Sequence, residues 1–278
     1  MNVQLVRVLA SDGVRLDGAV LPREDARAAA VLVHGTGSNF YGSALFDALG
    51  ETLAQAGFTV IRVNTRGHDL VSSDAGRRFG AAYESVGDCR HDLAAWADYA
   101  QTLAPRVVLV GHSLGAVKCL YAQAHAAHAA VRAVVAISPP RLGYRWFQAH
   151  SPDFVANYQR ALTLVEAGQG DTLLDLRFPL PFLCTAAGYI EKYGPEERYD
   201  FLGLLPRVVV PTLVTLGQKE MASNIAFTGS DDAAKAACPR TRVETIAGAD
   251  HNYTGTRSAL GAAILRWLDT VELGGELR

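Results

Sequence analysis

Residues 106–116 restrict the fold of this chain more than any other stretch. The apolar, β-branched run at 106–110 has the pattern of a buried strand, and an alanine-rich stretch with helical spacing begins a few residues later. Between them lies Gly111-His112-Ser113-Leu114-Gly115. A strand that turns directly into a helix through one serine strains that serine and leaves its hydroxyl exposed at the helix N-terminus, where the dipole favours negative charge. We therefore interpret Ser113 as a nucleophile at a strand-to-helix elbow.

The pentapeptide by itself is a weak signal, because glycine and serine are common and an ordinary turn with a buried serine has the same pattern. Its context favours catalysis. The strand before it is apolar, the helix after it begins with small residues, and suitable partners follow other predicted strands. Gly111 and Gly115 stand where a side chain would collide with so tight a turn.

The composition indicates one large domain with a sizeable core. The chain has 278 residues, of which 49% are hydrophobic and 19% charged, and its formal net charge is -2. The basic residues are scattered, so we expect no nucleic-acid partner. No uninterrupted apolar stretch approaches the length that spans a bilayer, so we expect no membrane insertion.

Cysteine usage and the N-terminus suggest the compartment. The cysteines are widely spaced, form no C-x-x-C pair and predict neither a disulfide framework nor a zinc site; they are Cys89, Cys119, Cys184 and Cys238. The first residues carry charges and lack the apolar segment of a secretory signal. We expect a cytoplasmic protein without a metal or cofactor, and the sequence leaves a homodimer open.

Strand and helix patterns alternate along most of the chain. A hairpin is expected at 3–9 and 14–21, around Ser11-Asp12-Gly13. Further strands are expected at 28–33, 58–63, 106–110, 131–137, 208–216 and 242–246, and helices at 43–56, 87–103, 114–128 and 256–271. Continuous apolar strands are buried on both faces, so the pattern predicts an α/β fold with a mostly parallel central sheet flanked by helices. The active site of such a sheet lies at the carboxyl ends of its strands.

The alternation stops at residues 141–205, where no buried strand is expected and glycine and proline interrupt the helical patterns. We expect a core made of 1–140 and 206–278, and a helical cap, or lid, made of 141–205. This insertion leaves the sheet at its carboxyl edge, over Ser113. We expect several of its aromatic residues to line an apolar pocket for a small-molecule substrate; they are Tyr144, Trp146, Phe147, Phe154, Tyr158, Phe178, Phe182, Tyr189, Tyr193, Tyr199 and Phe201.

A serine hydroxyl is a poor nucleophile at neutral pH and needs a base beside it. His251 follows the last predicted strand, within Gly248-Ala249-Asp250-His251-Asn252-Tyr253. A loop histidine at that point can reach a serine at the end of a central strand, although an exposed loop histidine is the alternative. We predict that His251 is the general base.

The base needs a carboxylate that holds its tautomer and stabilises the imidazolium. Glu220 comes just past the strand expected at 208–216 and is our candidate. Asp231 and Asp232, in the same connection, stay open as alternatives. Asp250 ranks lower, because neighbouring loop residues usually point apart.

The tetrahedral intermediate of acyl transfer needs two N–H donors. One candidate is the backbone of Leu114, directly after the nucleophile. The other is expected from His34-Gly35-Thr36-Gly37, after the strand at 28–33, where Thr36 is the best placed donor.

Together these motifs resemble those of the α/β-hydrolase fold superfamily over nearly the whole chain, with the general look of its serine aminopeptidase and lipase-like, esterase branch. The resemblance rests on His34-Gly35-Thr36-Gly37, Asn64-Thr65-Arg66-Gly67-His68, the elbow, Gly217 with Glu220, and Asp250-His251. It implies the α/β-hydrolase fold, a helical cap, and an acid placed between the nucleophile and the histidine.

Two features depart from the family pattern. The second segment looks like D-x-R-G-H-G, but it has Asn64 for the Asp and Asp69 for the last Gly. The acid is Glu220, where the family more often has Asp.

The motifs and the resemblance predict an enzyme, a serine hydrolase like the carboxylesterases. It would cleave a small to medium apolar or aromatic ester through an acyl-Ser113 intermediate. A thioesterase or a C–C bond hydrolase uses the same triad and stays an alternative. A non-catalytic, ligand-binding member of the fold is the alternative of a different class.

Overall fold

The computed structural model describes residues 3–74, 76–178 and 180–272. Its strands are β1 (Gln4–Leu9), β2 (Arg15–Leu21), β3 (Ala28–Val33), β4 (Phe58–Val63), β5 (Ser72–Asp74), β6 (Arg77–Phe79), β7 (Val107–His112), β8 (Val131–Ile137), β9 (Leu173–Leu176), β10 (Phe182–Thr185), β11 (Thr212–Gly217) and β12 (Arg242–Ile246). Eight of the strands described form a central sheet in the spatial order β1-β2-β4-β3-β7-β8-β11-β12.

The central sheet is mostly parallel, as the sequence predicted. β1 runs antiparallel to β2, and β2 antiparallel to β4, whereas the other neighbouring pairs are parallel. The predicted hairpin therefore forms one margin of the sheet. The carboxyl ends of β3, β7, β8, β11 and β12 meet at one edge, where the loops that follow them come together.

Helices cover both faces of the sheet. They are α1 (Ala44–Gln55), α2 (Cys89–Leu103), α3 (Leu114–His125), α4 (Tyr144–His150), α5 (Pro152–Glu166), α6 (Ala186–Tyr193), α7 (Phe201–Leu204), α8 (Gln218–Ser223), α9 (Ser230–Ala237) and α10 (Arg257–Thr270). Phe46 of α1 and Ile264 of α10 share a buried cluster with Leu32 of β3. Trp96 of α2 shares the cluster on the other face with Val31. Alternate residues of β3 thus point into different cores, which explains why its whole sequence is apolar.

The segment between β8 and β11 contains α4, α5, β9, β10, α6 and α7. No strand was expected there, but β9 and β10 pair antiparallel, with Leu176 opposite Phe182 and Leu173 opposite Thr185. Leu174 and Leu176 are buried and the residues between and before them are exposed, so β9 shows the alternation of a half-buried strand. An alternation over only four residues is too short to be recognised in a sequence segment where helical patterns dominate.

Several boundaries differ from the expected ones for local reasons. The strand expected at 208–216 begins at Thr212, because Pro211 has no N–H for the ladder, and Val209 is exposed. The helix after the elbow ends at His125, since Ala126 leaves the helical region with φ -149°. The small β5–β6 hairpin, between β4 and α2, was not among the expected strands.

No helix in the described ranges combines the length and the apolar character that crossing a membrane requires.

Candidate active site

Ser113 lies between the end of β7 and the start of α3. Its φ of 57° and ψ of -125° fall in a region that residues with a Cβ rarely adopt. The Ser113 N–H donates to the carbonyl of Ile137 at the end of β8, over 2.9 Å. This bond fixes the serine at the carboxyl edge of the sheet.

Two glycines make room for the turn. A Cβ at Gly111 would come within 2.6 Å of the Ala116 nitrogen, and a Cβ at Gly115 would overlap the carbonyl oxygen of Val33. The close approach of backbone to backbone therefore requires glycine on both sides of the serine.

His251 and Glu220 form a hydrogen bond of 2.8 Å between Nδ1 and Oε2. His251 lies in the loop after β12, and Glu220 lies in the first turn of α8, directly after β11. Glu220 is buried, whereas the His251 side chain is 35% exposed. Because Nδ1–H donates to the carboxylate, Nε2 is the ring nitrogen left to accept a proton.

The other oxygen of the Glu220 carboxylate accepts two further hydrogen bonds. Oε1 accepts from the Ser138 hydroxyl over 2.5 Å and from the Gly217 N–H over 2.6 Å. The Tyr253 hydroxyl contacts the hydroxyls of Ser138, at 2.9 Å, and Thr215, at 3.1 Å. This network fixes the orientation of Glu220 toward His251.

Neither Ser138 nor Tyr253 was among the site residues predicted from the sequence. Ser138 comes directly after the strand at 131–137, and Tyr253 is two residues beyond His251. Both have positive φ, 47° and 53°. The end of a parallel strand was the signal that could have drawn attention to Ser138.

His112, the residue before the serine, contacts the loop of His251. Its Nε2–H donates to the His251 backbone carbonyl over 2.8 Å, and the two ring centroids are 4.8 Å apart. Burial, together with the smaller effect of the nearby His251, lowers the pKa of His112 to about 3. His112 is therefore a neutral donor at physiological pH.

The Gly35–Thr36 peptide lies beside the serine. A Cβ at Gly35 would lie 3.0 Å from Cβ of Ser113, closer than most Cβ contacts, so glycine favours this approach. His34 Nδ1–H donates to the Gly35 carbonyl over 2.8 Å, while His34 Nε2 accepts from the Thr65 N–H over 3.1 Å. In a trans peptide C=O and N–H point in opposite directions, so the Thr36 N–H points away from the His34 ring.

The N–H groups of Thr36 and Leu114 donate to no group in the described part of the chain. Both residues line the cavity that Ser113 lines. These two donors are available to an oxyanion formed beside Ser113.

The segment that departs from D-x-R-G-H-G supports the loop after Thr36. Asn64 Oδ1 accepts from the Phe40 N–H over 2.9 Å. Asp69 Oδ1 accepts from the Asn39 side chain over 2.7 Å, and the Asp69 N–H donates to a backbone carbonyl at residue 38 over 3.0 Å. The unusual residues at 64 and 69 thus hold the backbone close to the candidate oxyanion donors.

The site residues line a common cavity of about 580 Å³. Its walls include Ser113, His251, Thr36 and Leu114. Among the hydrogen bonds of the described residues, none joins Ser113 to His251. In unliganded sites this bond is often long and shortens when substrate binds.

The other candidate acids lie elsewhere. Asp231 and Asp232 belong to α9, and Asp232 pairs with the exposed Lys235 over 3.2 Å. Asp250 accepts from the backbone N–H groups of Asn252 and Thr254, bonds that lower its pKa and bind its carboxylate to its own loop. Only Glu220, of the four candidates, hydrogen-bonds to His251.

The expectation of an aromatic-lined pocket is wrong in its detail. Of the eleven aromatic residues named from 141–205, only Tyr193 lines the cavity in the part of the chain that is described. Phe147 and Phe154 are fully buried, with ring centroids 5.5 Å apart, and Tyr189 packs on Tyr193 at 4.9 Å. The rings pack mainly on one another, because aromatic side chains bury most area in mutual contact.

The insertion contributes other side chains to the cavity, namely Leu142, Leu180 and Lys192. Within the described ranges, no three His, Cys, Asp or Glu side chains are grouped as metal ligands.

The fold is shared with solved esterases. Est1E of Butyrivibrio proteoclasticus, in a structure with bound ferulic acid, superposes with a TM-score of 0.70 at 15% identity, over 96% of this chain and 99% of that chain. The Pyrococcus furiosus esterase Pf2001 superposes with a TM-score of 0.62 at 15% identity, over 98% of this chain and 94% of that chain.

DcsB, in complex with its substrate analogue, superposes with a TM-score of 0.76 at 14% identity, over 98% of this chain and all of that chain (100%). Identities this low establish the fold alone. No curated protein sequence matches the chain significantly.

A family model described as "Alpha/beta hydrolase family" matches residues 30–261, which include the elbow and both partners of the Glu220–His251 bond. The match covers most of the chain, and with the esterase neighbours it supports a hydrolase. The chain, with its mostly parallel sheet and its strand-to-helix serine elbow, belongs to the α/β-hydrolase family.

Proposed function

We propose that this α/β-hydrolase cleaves carboxylic esters of small to medium size, with an apolar or aromatic acyl group. Ser113 is the nucleophile, His251 the general base and acid, and Glu220 the carboxylate that orients His251. The observation that carries the proposal is the 2.8 Å bond from His251 Nδ1 to Glu220 Oε2, beside the cavity that Ser113 lines. It leaves His251 Nε2 free for a proton.

In the first half-reaction, Ser113 Oγ bonds to the ester carbonyl carbon while His251 Nε2 takes the hydroxyl proton. The carbonyl electron pair moves onto oxygen, where the N–H groups of Thr36 and Leu114 stabilise it. Collapse breaks the bond to the alcohol oxygen, which leaves with the proton from His251. Water then attacks the acyl-serine by the same steps and releases the carboxylic acid.

The size of the substrate follows from the cavity. Its volume of about 580 Å³ is typical of sites that enclose a small molecule and is too small for a folded polymer. Apolar walls come from Leu45, Leu114, Leu142 and Phe227. These surfaces suit an apolar acyl group better than a polar chain.

In this proposal residues 141–205 act as a cap over the site. Support comes from Leu142, Leu180, Lys192 and Tyr193, which belong to this segment and line the cavity together with Ser113. The cap selects the acyl group through these few side chains.

The same three residues can also cleave thioesters or C–C bonds. Substrate tests therefore decide between these reactions and ester hydrolysis. The test uses p-nitrophenyl esters of increasing acyl length, acyl-CoA thioesters of the same lengths, and a peptide p-nitroanilide. We expect turnover of short and medium esters, weak turnover of thioesters and none of the anilide. Faster turnover of thioesters would reassign the enzyme as a thioesterase.

A binding protein would behave differently in a second measurement. A fluorophosphonate labels only a serine activated by its base. Absence of both ester turnover and labelling would show that the fold is used here without catalysis.

A further inference from the structure

The cavity beside Ser113 has a lysine in its wall. Lys192 belongs to α6, and only 5% of the residue is exposed. It lines the same cavity as Ser113 and His251. A buried ammonium next to a reaction site is unusual, because removing a charge from water costs several kcal/mol unless a partner replaces the water.

Lys192 has no such partner in the described part of the chain, where it forms no ion pair and no side-chain hydrogen bond. Its Nζ lies 5.4 Å from the centre of the Phe182 ring, a contact that stabilises a cation only modestly. The N–H donors of the ammonium thus have no acceptor among the described residues, and Lys192 is part of the cavity wall.

The buried carboxylate that acts most strongly on Lys192 is Glu84, and it is already paired with another lysine. Glu84 forms an ion pair with Lys118, which is also buried and donates to the Thr65 hydroxyl over 2.9 Å. Although burial raises the pKa of Glu84, the charges of Lys118 and Lys192 bring it below its usual value. Glu84 therefore faces two buried lysines. Glu191 is a second negative charge near Lys192, but its carboxylate accepts from the Ser85 hydroxyl, the Val86 N–H and the Tyr199 hydroxyl and forms no ion pair with Lys192 among the described residues.

The Lys192 ammonium is thus near negative charge but in direct contact with none in the described ranges. Burial lowers the pKa of Lys192, and the charges of Glu84 and Glu191 oppose that shift only in part. An anion in the cavity would supply the direct partner that these carboxylates do not.

The geometry points to Lys192 as a specificity residue that binds a carboxylate on the substrate, so that the preferred substrates are esters that carry a second, anionic group. This inference rests on the proposed ester hydrolysis and names the substrate class within it. An anion in the cavity would pair with the free ammonium while the apolar walls hold the chain between the anion and the ester.

Arg257 is the competing cation. It also lines the cavity, but it is partly exposed and its Nε lies 3.4 Å from the Asn252 carbonyl. A more hydrated and partly satisfied guanidinium gains less from an anion than a buried, unpaired ammonium does. Lys192 is therefore the stronger anchor of the two.

The test compares monomethyl esters of dicarboxylic acids with methyl esters of monocarboxylic acids of equal chain length. A second pair places the carboxylate on the alcohol side, with butanoyl esters of hydroxy acids against those of simple alcohols. We expect at least one anionic series to exceed its neutral series in kcat/KM by about 30-fold, the scale of one hydrogen bond to a charged group. No preference in either pair, in an enzyme that hydrolyses the neutral esters, would overturn the inference and leave the proposed function intact.

Substitutions identify the residue that causes the preference for anionic esters. Lys192→Met should reduce the ratio of anionic to neutral kcat/KM by about 30-fold, mainly through KM. Lys235→Met, at an exposed lysine of α9, is the matched control and should keep the wild-type ratio. If Arg257→Met removes the preference and Lys192→Met does not, Arg257 is the anion site and the inference is wrong.

Binding separates this inference from the catalytic proposal. In a Ser113→Ala background, titration calorimetry with an intact monomethyl dicarboxylate should give tighter binding than its neutral counterpart, and Lys192→Met should abolish the difference. Equal binding of the two ligands would overturn the role of Lys192 whatever the fate of the bound ester. Preferential binding without turnover in the parent protein would instead refute ester hydrolysis and retain the anion site.

Discussion

The side chain of His112 donates a hydrogen bond to the backbone carbonyl of His251, with 2.8 Å between the two atoms. The residue before the proposed nucleophile therefore positions the loop that carries the proposed base. The bond requires a proton on Nε2, and burial keeps the ring that carries it neutral by holding the pKa of His112 at about 3.

The His112 contact predicts a pH dependence of stability. The folded pKa of about 3 lies below the unfolded value of 6.5, so between these values the unfolded chain binds a proton that the folded chain does not. This stability is complete above pH 6.5 and is lost as the pH falls toward 3, at about 1.4 kcal/mol per pH unit. His112→Gln should therefore show a smaller loss of unfolding free energy between pH 6 and 4 than the parent, measured by urea unfolding.

The exposed His150 offers a matched control for that experiment. His150→Gln should keep the slope of the parent protein. Equal slopes for His112→Gln and the parent would contradict the assignment of a buried, neutral His112.

Ser113→Ala should reduce ester turnover by at least ~10³-fold, because the acyl intermediate has no oxygen on which to form. The hydroxyl contributes little packing, so the melting temperature should change little. Mass spectrometry after fluorophosphonate treatment should find the label on Ser113 and none in the variant. Full activity in the variant would rule out the acyl-serine mechanism.

Glu220→Gln should lower kcat by ~10³- to 10⁴-fold, since His251 then loses the negative charge that stabilises its imidazolium. Asp231→Asn and Asp232→Asn are matched controls from α9 and should retain nearly full activity. The measurement is kcat at saturating p-nitrophenyl ester. An inactive Asp231 or Asp232 variant beside an active Glu220→Gln would move the acid to α9.

Tyr253→Phe removes the hydroxyl that contacts Ser138 and Thr215 but keeps the buried ring. We expect a loss of about 1 kcal/mol in unfolding free energy and a fall in kcat of several-fold, because the Ser138 bond to Glu220 is then less well fixed. KM should stay near its parent value. A raised KM with unchanged kcat would assign Tyr253 to substrate binding instead.

Leu180 tests the role of the insertion as a cap. It lines the cavity and is 40% exposed, so Leu180→Trp can narrow the cavity without disrupting a core. We expect kcat/KM to fall for octanoyl esters much more than for acetyl esters. Leu173→Trp, at a similarly exposed leucine of β9 outside the cavity wall, is the control. Equal effects on both ester lengths would show that this part of the insertion does not select the acyl group.

The local pattern of the sequence determined the alternation of strands and helices, the parallel sheet and the glycine-flanked serine. These features depend on residues that are close together along the chain: apolar runs specify buried strands, and Gly111 and Gly115 are needed by the turn they flank. The same rules placed Glu220 and His251 after strands whose ends meet at one edge.

Only the tertiary structure decided which of those residues meet. Glu220 and not Asp231 reaches His251, and Ser138, Tyr253 and His112 complete the network, because β8, β11 and β12 are neighbours in a sheet although they are far apart in sequence. The aromatic residues of the insertion pack together, which leaves Lys192 in the cavity wall. Side-chain direction and packing in three dimensions decide such contacts, and neither spacing nor composition records them.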